Sequence, residues 1–180
     1  RFCKLNLMGS ELLVLVGAQD RITPATANLL NVIGQVRQVA ERLEPLAAQS
    51  KVQLNVAGDE DLVINGETDQ IDSAVTKLME NAIGYSPANG TVSVSAVKSK
   101  DGEQAVIRVI DQGVGIAKKD QARIFERFYR GSSQSERTAD GVGLGLAIVK
   151  HVALTHHGDI SVWSAPGQGS TFSLTLPLAQ

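Results

Sequence analysis

The chain has 180 residues, of which 43% are hydrophobic and 20% charged, and its formal net charge is −2. These values fit one globular domain with at most a short appendage. The weak charge gives no electrostatic reason to expect nucleic acid or an anionic membrane as a partner. Cys3 is the single cysteine, which excludes a disulfide framework and a cysteine-rich metal site. No apolar run approaches the roughly 20 residues that span a bilayer.

The first part of the chain carries no clear periodicity. We expect residues 1–22 to be the end of an upstream helix or linker, or a segment introduced by cloning, and residues 23–180 to form the domain. Because the sequence begins at Arg1 rather than at methionine and shows no signal peptide, we expect a piece of a longer protein that functions in the cytoplasm.

A first helix is predicted to begin at Thr23, a good N-cap, with Pro24 at the first helical position. Apolar residues at helical spacing then mark one face of this helix. Proline removes a backbone donor and clashes with the preceding turn, so Pro45 is expected to kink or interrupt the helix before Ser50. The residues of the apolar face are Leu29, Ile33, Val36, Ala40 and Leu43.

The remaining elements alternate between strands and helices. The stretches "VQLNVA" and "DLVIN" predict two short strands, and "TDQIDSAVTKLMENAIGYSP" a helix. Two further strands, "TVSVSAV" and "EQAVIRVID", form a hairpin. Residues 112–142 are largely polar and typical of a functional lid; a helix over 144–157 and the strands "DISVWS" and "STFSLTLPL" follow. This order predicts an α+β fold, a two-layer α/β sandwich with helices on one face of a mixed, mainly antiparallel sheet.

Three glycines stand where the polar segment meets the last helix. They occur in "DGVGLGLAIVK", which ends at Lys150. Glycines let the backbone approach a ligand, and the N-terminus of the following helix offers unpaired N–H groups to an anion. A flexible hinge is the alternative. The stretch lacks the Gly-Lys-Ser/Thr of a P-loop and does not follow a strand as a dinucleotide fingerprint does.

Two other stretches place polar residues at the ends of elements. "DQGVGI" begins with Asp111 at a strand end, where a carboxylate can accept a hydrogen bond from an exocyclic amine; an Asx-turn is the alternative. "MENAIGYS" puts Asn81 one helical turn before Tyr85. Asn81 can cap the following loop, or its carbonyl oxygen can bind a hard cation such as magnesium.

Together these motifs resemble the catalytic ATP-binding domain of bacterial sensor histidine kinases, within the GHKL superfamily. "MENAIGYS" is similar to the N box, "DQGVGI" and "GVGLGL" to the first two glycine boxes, "FERFYR" to the F box and "GQGSTF" to the third glycine box. The resemblance covers roughly residues 23–180 and is strongest to actinobacterial kinases that signal phosphate limitation. It implies the Bergerat ATP-binding fold, with ATP and Mg²⁺ bound between the helices and the lid.

The resemblance also assigns roles to individual residues. Asp111 contacts adenine, Tyr85 flanks it, Asn81 coordinates Mg²⁺ and Arg130 meets the terminal phosphates. Asn81 and Arg130 are the implied catalytic residues. As alternatives, Tyr85 belongs to the core, Phe125 anchors the lid and Arg130 forms a surface ion pair. The implied nucleotide-binding residues are Asn81, Tyr85, Asp111, Gly113, Gly115, Ile116, Phe125, Tyr129, Arg130, Gly141, Gly143, Leu144, Gly145, Leu146 and Thr171.

Two positions depart from the family pattern. Lys77 stands where many members have asparagine, and Gly84 where many have lysine or arginine. Hydrolytic relatives keep a general-base glutamate at the position of Lys77, and a lysine ammonium does not take a proton from water at neutral pH. The sequence therefore favours the kinase branch. Lys77, on the same helical face as Asn81, is a candidate replacement for the missing positive charge.

The implied partners are ATP, the kinase's own dimerisation and phosphoacceptor domain in a homodimer, and a cognate response regulator. Nucleic acid and direct membrane contact are not expected for this chain, although the parent protein is expected to be anchored in the membrane. The three histidines lie in "KHVALTHHG" and lack the acidic setting of an acceptor. Alternatives are a serine kinase of the anti-sigma-factor type, a GHKL ATPase and a degenerate nucleotide-binding module.

Overall fold

The computed structural model describes residues 28–126 and 145–179. Within these residues the predicted strands and helices occur in the predicted order, with an additional strand before the first helix and a short helix after Ala117. The elements are β1 (Asn28–Asn31), α1 (Val32–Gln49), β2 (Gln53–Gly58), β3 (Val63–Gly66), α2 (Thr68–Tyr85), β4 (Thr91–Lys98), β5 (Gln104–Asp111), α3 (Lys118–Gln121), α4 (Gly145–Thr155), β6 (Asp159–Ala165) and β7 (Gly169–Pro177).

Five of these strands form the main sheet, in the order β2-β4-β5-β7-β6. β2 and β4 run parallel, because α2 and β3 lie between them in the chain, and the other neighbours are antiparallel. β1 and β3 form a separate antiparallel pair. The predicted two-layer sandwich with a mixed, mainly antiparallel sheet is confirmed.

The core lies between the sheet and the helices. Alternate residues of β4 and β7 are buried, as the period of two in a strand requires. Together with the buried residues of β5 they meet the apolar faces of α1, α2 and α4. The opposite face of the sheet carries exposed residues, among them Ile110 and Trp163, the latter 59% exposed. The largest fully buried side chains are Phe172, Ile33, Ile64, Ile71, Leu78, Met79, Ile83, Ile107, Ile148, Leu174 and Leu176.

The predicted start of the first helix is wrong. α1 begins at Val32, and Asn31 is its N-cap, with Oδ1 accepting a hydrogen bond of 2.8 Å from the Gly34 N–H. The preceding residues pair with β3 instead of continuing the helix, which leaves Leu29 73% exposed on β1. Sheet pairing therefore overrides the helical spacing at this end. Thr23 lies outside the described residues.

Pro45 does not interrupt α1, which continues through it to Gln49. The helix ends only where the Ser50 N–H donates to the Leu46 carbonyl. A proline inside a helix costs about 3 kcal/mol, but burial of Val39 and Ala47 on both sides of Pro45 favours continuation of the same apolar face.

No helix of the described residues is long and apolar enough to cross a bilayer. The division at residues 22 and 23 stays a prediction.

Candidate functional site

Asp111, the last residue of β5, is a buried carboxylate with only 3% of its surface exposed. Its Oδ1 accepts a hydrogen bond of 2.9 Å from the Gly113 N–H, which forms the Asx-turn that the sequence offered as the alternative. Burial raises the pKa of Asp111 above its usual range, and the backbone N–H groups of Gly113 and Ser170 oppose that rise. The turn and a ligand contact are compatible, because one carboxylate has about four acceptor positions.

The two glycines after Asp111 are required by packing within the protein. A Cβ on Gly113 would collide with the carbonyl group of Tyr85 at the end of α2. Gly115 has φ +79° and lies against the carbonyl of Ala165 at the end of β6. The loop is thereby fixed between α2 and the turn that joins β6 to β7. Packing within the protein therefore accounts for glycine at both positions.

A chain of serines connects this loop to the sheet beneath Asp111. Ser164 Oγ accepts a hydrogen bond of 2.7 Å from the Ile116 N–H, and it lies 2.8 Å from Ser170 Oγ and 2.9 Å from the Gly169 carbonyl oxygen. Ser170 pairs directly with Asp111 across β5 and β7, so their side chains share one face. Ile116, one of the residues implied to bind nucleotide, is buried in this loop.

Thr171 does not lie on the face of the sheet that carries Asp111, and Ser170 lies there instead. Thr171 pairs with Ile110 on one side and Trp163 on the other, and both of these are exposed on the far face of the sheet. Strand parity could have shown this from the sequence. Phe172, Leu174 and Leu176 mark the core face of "STFSLTLPL", and only residues an even number away from them share it.

Asn81 and Tyr85 lie on the last two turns of α2, close to the loop after β5. Asn81 is partly exposed, and within the described residues no hydrogen bond engages its side chain, so it is not the cap that was the alternative. Tyr85 is buried, as its core alternative requires, and its carbonyl contacts the Gly113 backbone. The amide oxygen of Asn81 is thus available to a ligand beside a preformed loop.

The N-terminus of α4 faces the same part of α2. The Cδ of Lys77 lies 3.6 Å from where a Cβ on Gly145 would be. Leu146 packs partly buried against the core. Phe125 meets Phe172 edge to face, with ring centroids 6.2 Å apart, so its ring packs against the core.

Several predicted residues lie outside the described part of the chain, and their assignments stay predictions. They are Tyr129, Arg130, Gly141, Gly143 and Leu144.

The residues present fit a magnesium ion held mainly by its substrate. Among the described residues, no group of three or more histidine, cysteine, aspartate or glutamate side chains could hold a metal ion. Mg²⁺ at nucleotide sites takes one or two protein oxygens and completes its shell with phosphates and water. Asn81 carries an amide oxygen of this kind, one helical turn after Lys77, whose side chain lies close to Gly145.

The side chain of His156 has a structural role. Its Nδ1 donates to the Val152 carbonyl over 2.8 Å, and its Nε2 accepts from the Glu67 N–H over 3.1 Å. Burial lowers the pKa of His156 below its usual value. With both ring nitrogens bonded, this histidine joins the end of α4 to the start of α2 and is not a nucleophile.

Comparisons with known proteins agree with this geometry. The family described as "Histidine kinase-, DNA gyrase B-, and HSP90-like ATPase" matches residues 66–180. Sensor-like histidine kinase SenX3 of Mycobacterium tuberculosis is 39% identical over 174 residues, which cover 97% of this chain and 42% of SenX3. Sensor histidine kinase WalK of Bacillus subtilis is 34% identical over 148 residues, covering 82% of this chain and 24% of WalK. The chain spans less than half the length of these relatives.

Solved structures show the same fold. The mycobacterial sensor histidine kinase MprB superposes with a TM-score of 0.74 at 28% identity, over 84% of this chain and 97% of that one. Full-length ShkA in complex with AMPPNP gives a TM-score of 0.80 at 27% identity, over 94% of this chain and 35% of ShkA. The chain therefore belongs to the histidine kinase-, DNA gyrase B- and HSP90-like ATPase family, among the ATP-binding catalytic domains of sensor histidine kinases.

Proposed function

We propose that this domain binds ATP between the end of β5 and the N-terminus of α4 and donates the γ-phosphoryl group to a histidine on the dimerisation helix of its parent kinase. The parent would then pass the phosphoryl group to a response regulator in the cytoplasm. The observation that carries the proposal is the buried Asp111 carboxylate, which lies beside Ser170. The loop that follows it contacts the end of α2 through Gly113 and the Tyr85 carbonyl.

The part of the site that would hold adenine, called the base end here, would act through Asp111. A carboxylate accepts a hydrogen bond from the exocyclic amine of adenine, whereas guanine presents a carbonyl oxygen at the matching position. A bond to an ionised acceptor is stronger than one between neutral groups. Burial excludes competing water from Asp111, so the site favours ATP over GTP.

The part of the site that would hold the phosphates, called the phosphate end here, would combine Asn81 with the first backbone N–H groups of α4. These groups carry the positive end of the helix dipole and suit an anion. Bound Mg²⁺ would supply charge neutralisation for the phosphates, and Asn81 would hold it through the amide oxygen. Phosphoryl transfer depends mainly on positioning and charge stabilisation, so few further groups are needed from the protein.

A kinase fits the described residues better than a hydrolase. Lys77 occupies the place where hydrolytic relatives keep a glutamate. The neighbouring Glu80 carboxylate lies beside this ammonium group, with its Oε1 3.8 Å from Lys77 Nζ.

The acceptor is proposed to lie outside this sequence. His151 is six residues into α4, or roughly 9 Å along the axis from Gly145 at 1.5 Å per residue. A reacting histidine must come within about 3–3.5 Å of the phosphorus. His156 is further along the same helix and is held by two hydrogen bonds.

The test uses ATP labelled at the γ-phosphate. The chain alone should bind ATP without labelling itself or releasing phosphate, and the dimerisation domain of the full-length kinase, supplied as a separate polypeptide, should become labelled on histidine. Asn81→Ala should abolish most of the transfer, while Asn55→Ala, an exposed asparagine of β2, should leave it unchanged. Phosphohistidine on the chain alone, label on serine, or rapid phosphate release would each contradict the proposal.

A further inference from the structure

Lys77 connects the two helices of the phosphate end. It lies on α2 one turn before Asn81, and its carbon chain crosses the first residue of α4, with Cγ and Cδ 4.0 and 3.6 Å from where a Cβ on Gly145 would stand. Its side chain is 30% exposed, and Nζ lies 3.8 Å from Glu80 Oε1. The ammonium is therefore held close to the start of α4 while its tip stays accessible.

The end of α2 has no side chain at the next position that could reach the same region. Gly84 is exposed, and no heavy atom lies within 4 Å of where its Cβ would be. Other cations near these helices have partners elsewhere: Arg42 pairs with Asp72 on the far side of α2, and Lys150 Nζ lies 6.0 Å from the centre of the Phe125 ring. Within the described residues, Lys77 is the lysine or arginine whose side chain contacts the first residue of α4.

We propose that Lys77 binds the phosphate chain of ATP and replaces the cation that position 84 lacks. This inference rests on the proposed function. On binding, the ammonium would exchange the Glu80 carboxylate for phosphate oxygens. A lysine head is a compact charge with three donors and can make this exchange by rotation of its own side chain.

The Lys77 side chain and the start of α4 lie side by side. The methylene groups of Lys77 come within van der Waals distance of where a Cβ on Gly145 would be, at 3.6 Å for Cδ. Ammonium and helix dipole act on one anion with the same sign, so their attractions add. Glu80 balances the ammonium when no phosphate is bound.

Lys77→Met tests this role because methionine keeps an unbranched apolar chain and removes the charge. Affinities for ATP and for adenosine are measured by titration at one Mg²⁺ concentration. ATP affinity should fall about tenfold to a hundredfold, as expected for a charge-assisted contact, while adenosine affinity stays unchanged. The loss should shrink at high salt.

A matched control and a rescue sharpen the test. Lys98→Met removes a lysine whose chain also passes near a glycine, with Cδ 3.9 Å from where a Cβ on Gly102 would be, but in the β4–β5 hairpin. It should not change either affinity. Adding Gly84→Lys to Lys77→Met should restore much of the ATP affinity, because the space at Gly84 is open.

The outcomes separate this inference from the proposed function. Loss of ATP binding with adenosine binding retained supports Lys77. If the unaltered chain binds ATP and Lys77→Met binds it equally well, the role of Lys77 is refuted and the proposed function stands. Equal losses for ATP and adenosine would make Lys77 a structural residue and also refute it. An unaltered chain that binds neither compound refutes both.

Discussion

The two ends of the site are built differently. At the base end, Asp111 is buried and bonded to the Gly113 backbone, and Ser164 ties the following loop to the sheet. At the phosphate end, the Asn81 side chain is partly exposed and makes no hydrogen bond within the described residues, and Lys77 is held by an ion pair at 3.8 Å. Under the proposed function, recognition of the base would be part of the fold, whereas the phosphate groups would be left to side chains that can rearrange.

Glycine substitutions at the two ends of the site should change the free energy of unfolding most strongly. Gly115→Ala at the base end should lower the free energy of unfolding by about 2–5 kcal/mol, because φ +79° is strained for alanine and the new Cβ meets the Ala165 carbonyl. Gly84→Ala at the phosphate end should raise it by about 0.5–1 kcal/mol, since alanine favours a helix and the space is open. Urea unfolding measures both.

The two substitutions are expected to change the free energy of unfolding in opposite directions. A Gly115→Ala variant as stable as the unaltered chain would mean that the loop is not fixed against β6. A clear loss of stability in Gly84→Ala would mean that the end of α2 is packed as tightly as the base end.

The next effect concerns the serine that supports the base end. Ser164→Ala should cost about 1–3 kcal/mol of unfolding free energy, because it leaves the Ile116 N–H without its acceptor. ATP affinity should fall with it, as the loop beside Asp111 loosens. Ser161→Ala, on the exposed face of the same strand, is the control and should change neither quantity. Equal effects of the two variants would show that the serine chain does not position the loop.

The smallest effect is expected at the far ends of the two phosphate-end helices, where His156 joins α4 to α2. Burial lowers its pKa, so the unfolded chain takes up the proton first as the pH falls. Stability contributed by neutral His156 should be complete above about pH 6.5 and decline below it until the folded pKa is passed. Groups near the ring are Glu67, Gln70, Thr155 and His157.

Unfolding free energies measured from pH 8 to pH 5 should show this decline in the unaltered chain and less of it in His156→Gln. His157→Gln, in the exposed turn after α4, serves as the control. A decline that is the same in His156→Gln would place its origin in other groups.

Much of the fold was predictable because its strands and helices carry regular apolar periods. The order of α2, β4, β5, α4, β6 and β7 follows from them. The predictions failed where tertiary pairing decides: β1 forms because β3 is available to it, and Asn31, not Thr23, caps α1. Pro45 stays in the helix because the apolar face continues past it.

For the site, motifs located Asp111 and Asn81 but could not show how each is supported. Ser164 lies far from Asp111 in sequence, and only the pairing of β6 with β7 brings it to the Ile116 backbone. Strand parity alone distinguishes Ser170, on the core face of β7, from Thr171, on the opposite face. The contact of Lys77 with Gly145 depends on the antiparallel packing of α2 and α4, which no single helix pattern reveals.

The central claim is that a buried carboxylate at the end of β5 selects adenine, and Asp111→Asn tests it most directly. Burial raises the folded pKa of Asp111, so stability falls as the pH rises from the unfolded to the folded value. Asparagine removes that penalty, and the variant should be at least as stable at pH 7.5, so that any change in binding is not caused by unfolding.

The measurement is a titration of the unaltered chain and of Asp111→Asn with ATP and with GTP at one Mg²⁺ concentration. The unaltered chain should bind ATP at least about tenfold more tightly than GTP, and Asp111→Asn should lose about tenfold to a hundredfold in ATP affinity. Asp159→Asn, an exposed carboxylate at the start of β6, should match the unaltered chain. Equal affinity of the unaltered chain for ATP and GTP, or an Asp111→Asn variant that binds ATP as tightly as the unaltered chain, would contradict the claim.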